Sequence, residues 1–174
     1  MALGFINKGF LAKIIYQPTL TFRFDYMQAG LKMILEHPLF GVGLDSYDDF
    51  YRESRGLIST IRTGPNRVAN TAHNLPIDLG ASGGLPLLIS WLLLQAIAFY
   101  VLVSRLRRQK IFEPTFTVLS SLWLAYLSQT LISINQISVS VWGWIFTGSL
   151  ISQFHKGIDD KQSEVLENLD TNKG

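Results

Sequence analysis

Polar and apolar positions divide this chain into stretches that follow different rules. From Leu79 to Ser104, and again from Pro114 to Phe154, there is no Asp, Glu, Lys or Arg, whereas charges are scattered through the half that precedes them. Within the first charge-free stretch, Gly84–Val103 supplies about the 20 residues that a helix rising ~1.5 Å per residue needs to cross ~30 Å of hydrocarbon. It predicts a transmembrane helix. Thr115–Ile134, with Trp123 and Tyr126 among Leu, Ile and Ser, predicts a second. Ile137–Phe154 predicts a third, made less apolar by Gly143, Thr147 and Gly148, small residues that let another helix pack closely. The short Asn135-Gln136 link joins the last two as a hairpin. Trp91, Trp123, Trp142 and Trp144 read as interfacial or packing aromatics.

Upstream, the pattern is that of a folded polar insert. In "TFRFDYMQAGLKMILEHP" the positions Phe22, Tyr26, Met27, Ala29, Gly30, Met33 and Ile34 form a helical stripe, and Pro38 ends that helix at or before His37. Gly41-Val42-Gly43 predicts a turn, and "DSYDDFYRESRG" a short helix capped by Asp45 or Ser46. Ile58 to Asn70, rich in Ser, Thr, Arg, Gly, Pro and Asn, reads as loop. The resulting expectation is an all-α helical membrane protein. Residues 1–15 are the end of a truncated transmembrane helix, 16–83 a largely helical extracytoplasmic loop region, 84–154 three transmembrane helices, and 155–174 a polar tail without fixed structure.

Charge sets the orientation. "SRLRRQKIFEP" places Arg105, Arg107, Arg108 and Lys110 next to the first predicted span, and the link after the second carries no charge. By the positive-inside rule the basic loop is cytoplasmic, which puts residues 16–83 outside and the C-terminal tail inside. Composition agrees with a membrane chain carrying a sizeable polar segment: 48% of residues are apolar, 16% are charged, and the mean hydropathy is +0.23. With no cysteine, disulfides and thiolate metal sites are excluded. A net charge of +2 gives little support to a nucleic-acid partner.

Few residues carry candidate chemistry by themselves. "DSYDD" clusters carboxylates of the kind that hold Mg²⁺ on a diphosphate, but no second acidic element accompanies it, so it reads as a solvated helix start and no metal site is assigned. His37 sits at a helix end, where His caps carbonyls. His73 either serves as a general base for an acceptor hydroxyl or is a hydrogen-bonded, helix-capping residue at the membrane rim.

The order of these features resembles one family. "RFDYMQAGLKMILEHPLFGVGLDSY" followed by "AHNLPIDLGASGGLPLLI" is similar to the outer loop of the O-antigen ligase and O-antigen polymerase family: an Arg, an aromatic three positions on, a helix ending in His-Pro, Gly-x-Gly, then His-Asn leading into a glycine-containing span. The resemblance covers about residues 20 to 150 and matches the C-terminal half of such proteins, which carry more spans. It implies a metal-independent type C glycosyltransferase of the bacterial inner membrane. Such an enzyme moves a saccharide from a polyprenyl diphosphate to an acceptor hydroxyl, with no cofactor. Its partners would be membrane lipid, the carrier-linked saccharide and a separate chain supplying the missing N-terminal spans. Where many members have an acidic residue after His-Asn, this chain has Ser82, with Asp78 nearby.

On this resemblance the catalytic pair is Arg23, whose paired donors suit a departing diphosphate, and His73, which takes the acceptor proton. Asn74, Arg52, Arg55, Arg62 and Arg67 are candidate substrate contacts. The four additional arginines equally suit ion balance with Asp45, Asp48, Asp49 and Glu53. A second reading stays open at this level: a non-catalytic membrane protein, such as a transporter component or the remnant of a split ligase.

Overall fold

A computed structural model describes residues 18–108, 113–134 and 136–153. The expectations for residues 1–15 and for the tail from 155 lie outside them. The described residues are helical and contain no strand: α1 (Pro18–Glu36), α2 (Tyr47–Ser54), α3 (Leu57–Thr63), α4 (Leu75–Arg108), α5 (Pro114–Thr130) and α6 (137–153). They form two compact units. One comprises the described residues to Trp91 together with 130–134, the other the remainder.

The first unit is organised by the stripe of α1. Tyr26, Ala29, Met33 and Ile34 are buried with Tyr47 and Tyr51 of α2 and with Ala69, Ala72 and Ala81. The helix stops at Glu36 because Pro38 forbids the helical geometry of the residue before it. Asp48 and Asp49 lie in the first turn of α2, where carboxylates favour the partial positive charge of the helix start. The loop expected from Ile58 onwards is corrected: Leu57–Thr63 is helix α3. Gly64, at φ +83°, ends it. The hydroxyls that suggested loop are absorbed by the helix, Thr60 donating to the Gly56 carbonyl at 3.3 Å and Thr63 to that of Ser59 at 2.8 Å.

A backbone lock joins α1 to α4. Gly84 leaves helical geometry (φ +72°, ψ −174°), and Pro86 has no N–H to return to the Ser82 carbonyl. The carbonyls of Ala81 and Ser82 are therefore released from the helix ladder. They accept instead from the N–H groups of Val42 (2.7 Å) and Gly43 (3.0 Å), while the Leu85 N–H donates to the Pro38 carbonyl at 2.7 Å. The Gly-Val-Gly turn is thus plugged into the break.

Among the described residues, one helix is long and apolar enough to cross a membrane, Leu75–Arg107. At 33 residues it would rise about 50 Å, well beyond a ~30 Å hydrocarbon core. The break at Gly84 divides it, and the apolar part beyond rises about 36 Å. Asp78 therefore lies ahead of the apolar part. The helices expected from Thr115 and Ile137 are present as α5 and α6, but α5 ends at Thr130.

In the second unit, Ala98 and Leu102 pack with Phe116, Trp123 and Leu150. Trp123 is fully buried and donates its indole N–H to Gln95 Oε1 at 3.0 Å. Trp142 and Trp144 are exposed. A Cβ on Gly143 would collide with the ring of Tyr126, so the expected close helix approach occurs there; Gly148 has nothing within 4 Å. Gly143→Ala should lower stability by about 1–3 kcal/mol through overpacking, read as a fall in the thermal midpoint of the purified chain in detergent. An unchanged midpoint would mean that Tyr126 moves aside freely.

Candidate functional site

The site is built on the loop that enters α4. Asn74 is its helix cap: Oδ1 accepts the Ile77 N–H at 3.1 Å and the main-chain carbonyl accepts that of Asp78 at 2.9 Å. Pro76 fits in the first turn, where an N–H has no helical partner. His73, immediately before the cap, adopts φ +57°. This left-handed geometry is uncommon outside glycine. The His73 N–H donates to Thr71 Oγ1 at 3.3 Å, and its ring Nδ1 lies 3.1 Å from the same hydroxyl. Among the described residues Nε2 meets no hydrogen-bond partner.

The imidazole packs on Tyr26, ring centroids 5.2 Å apart and planes at 37°. Tyr26 is fixed from its other side, because its carbonyl accepts the Tyr47 hydroxyl at 2.6 Å. Burial raises the pKa of Tyr47 and keeps it a neutral donor, with the neighbouring Asp78 acting in the same direction. The Tyr26 hydroxyl in turn meets Arg67 Nη2 at 3.4 Å, and the Arg67 guanidinium lies over the Phe22 ring at 5.5 Å. Arg67, Tyr26 and His73 therefore form one continuous cluster of cation, phenol and imidazole.

The other predicted site residues divide into groups. Arg23, one turn ahead of Tyr26 on α1, donates Nη1 to the Ile132 carbonyl, and Asn74 Nδ2 donates to the adjacent Leu131 carbonyl at 3.0 Å. These two bonds hold the segment that follows α5 and account for its ending earlier than the charge pattern suggested. Arg55 is buried, and its guanidinium donates to the carbonyls of Gly64 (3.1 Å), Pro65 (2.7 Å) and Arg67 (3.2 Å). It shapes the turn that carries Arg67. Arg62 pairs with the buried Asp25 at 3.0 Å, and Arg52 is exposed on α2. His37 lies edge-on to Phe50 at 5.6 Å.

Thr71 carried no sign in the sequence of belonging to this site; Tyr26 was visible as a stripe position and as the aromatic of the family motif, and Asp78 only as an acidic residue near the place where that motif has one. The Asp78 carboxylate accepts the Ala72 N–H at 2.6 Å, and burial lifts its pKa from 3.8 to about 6 against the opposing effect of that bond. No group of His, Asp and Glu suited to a metal ion occurs among the described residues.

Residues 11–92 match the family model described as O-antigen ligase. The match takes in Arg23, His37-Pro38, Gly41-Val42-Gly43, His73 and Asn74 and ends within α4, upholding the resemblance read from those residues. No curated protein and no solved structure matches the chain.

Proposed function

From the O-antigen ligase match over residues 11–92, we propose that the cluster around His73 is the outer-face site of a saccharide transferase fed by a polyprenyl diphosphate. The anomeric C–O bond to the carrier phosphate breaks, and a C–O bond to an acceptor hydroxyl forms. The acceptor proton passes to His73 Nε2, and the diphosphate leaves with the added negative charge. Arg67 meets that charge with the donors not turned to Tyr26. Arg23, with its remaining N–H groups, is the second cation. A guanidinium suits this role because it presents paired donors to phosphate oxygens and stays charged.

The observation that carries the reading is His73 packed on Tyr26, with Arg67 on the same phenol, just ahead of a helix fit to cross a membrane. A lipid diphosphate keeps its chain in hydrocarbon and its headgroup at the rim, so its catalyst must present polar groups at that depth. Arg55 is assigned a structural part, Arg62 braces Asp25, and Arg52 is left to contact saccharide.

The wider topology belongs to the same proposal. The part of α4 beyond Gly84, then α5 and α6, cross the inner membrane, with Arg105 and Arg107 on the cytoplasmic side. At 17 residues each, α5 and α6 rise about 26 Å, the short end of what a span needs. The second unit has the distribution a lipid environment favours: Gln95, Ser120 and Thr147 are buried while Leu93, Phe99 and Ile145 are exposed.

The test is binding. In nanodiscs, the chain should retain a radiolabelled polyprenyl diphosphate against excess polyprenol, and Arg67→Ala should weaken retention at least tenfold while Arg52→Ala leaves it nearly unchanged. Equal retention of polyprenol and its diphosphate would refute the reading.

A further inference from the structure

We propose that Asp78 is a positioning residue for His73, holding the imidazole against Tyr26 through the main chain. This rests on the functional reading above for its purpose, but its geometry stands by itself. Asp78 lies one turn inside α4, and its side chain reaches back past the cap to the N–H of Ala72, the residue just before His73, at 2.6 Å. On the other side of His73, Asn74 is fixed by the Ile77 and Asp78 amides. The chain is therefore pinned at both neighbours of the one non-glycine residue in this loop that takes a positive φ.

That pinning has work to oppose. A non-glycine residue in a sparsely populated backbone region costs on the order of 1–3 kcal/mol and persists only where its surroundings over-determine it. The Thr71 contacts alone do not supply this, because Thr71 lies in the same loop, outside any helix, and would move with His73. Asp78 belongs to a helix and is held by it. Ala72 is fully buried, so its N–H has no water to turn to, and losing the carboxylate leaves it unsatisfied. The relaxation open to the chain is rotation of the Ala72–His73 peptide, which carries the imidazole off Tyr26.

The distinction between position and charge gives the test. Asn at 78 keeps an acceptor oxygen in place without charge; Glu keeps the charge but displaces it by one methylene; Ala keeps neither. The full chain in nanodiscs, labelled with ¹³C/¹⁵N-histidine and with the His73 signals assigned by His73→Gln, reports the orientation through the ring-current shift from Tyr26. Asp78→Asn should keep the His73 ring protons at their upfield positions, and Asp78→Ala should move them to values of an unstacked imidazole, with His37 unchanged. A wild-type His73 shift in folded Asp78→Ala overturns the proposal. Should Asp78→Ala fail to fold, the decision passes to the other pair: shift kept by Asn and lost by Glu supports the proposal, while loss by Asn or retention by Glu overturns it. Saccharide transfer is measured in parallel. Transfer that survives His73→Ala would sink the functional reading and leave the ring-shift result on Asp78 untouched.

Discussion

Gly84→Ala should destabilise the chain by about 3–5 kcal/mol, the largest stability loss expected from adding a single methyl group. Two costs combine. The backbone at Gly84 lies in a region that is essentially glycine-only, worth about 1–3 kcal/mol for any other residue. A Cβ there would also sit 2.6 Å from the Leu39 carbonyl carbon and 2.7 Å from the Pro38 oxygen, both backbone atoms that cannot rotate away. Relief requires pulling the 38–43 turn out of the break, which forfeits its three hydrogen bonds to α4. Gly41→Ala meets the same lock from the opposite side, at φ +65° against the backbone of Ala81 and Ser82. Gly148→Ala, in open space within a helix, should be neutral or slightly stabilising. Denaturant unfolding in micelles measures all three, and a Gly84→Ala midpoint equal to that of Gly148→Ala would refute the lock.

His73→Ala should lower turnover about 10²–10⁴-fold, the range over which a positioned general base contributes. Folding should survive. The ring is half-buried, and among the described residues its hydrogen bonds are made with Thr71. His37→Ala provides the contrast: that ring is exposed and touches Phe50 edge-on, so turnover should stay near wild type. Release of polyprenyl diphosphate from a carrier-linked saccharide in proteoliposomes reports both. Equal turnover in the two variants would return His73 to a capping role.

Local rules made much of this arrangement legible. Pro38 forced the end of α1 one residue from where it occurs, and the predicted span began at Gly84, the residue at which α4 breaks. What local rules missed depends on long-range partners. Thr60 and Thr63 looked like loop residues because their hydroxyls compete with helix carbonyls, but here those hydroxyls bond within the helix that Gly56 and Gly64 bracket. Arg23 and Asn74 could be singled out from their motifs, yet their grip on the 131–132 carbonyls joins residues more than fifty positions apart. Distance along the chain likewise hid Tyr26 from His73. Gly-Val-Gly was readable as a turn, but that it takes up carbonyls released by Pro86 follows only from the two segments meeting.

The central claim is that a polyprenyl diphosphate is bound at the His73 cluster, and photo-crosslinking tests it most directly. A carrier analogue with a diazirine close to the diphosphate, activated in nanodiscs holding the full chain and followed by peptide mapping, reports which residues the headgroup touches. The account predicts label on the α1 segment around Phe22–Tyr26 and on residues 65–74, lost when unlabelled polyprenyl diphosphate competes. Label confined to the basic segment around Arg105 and Arg107, or label that competition leaves unchanged, would contradict it.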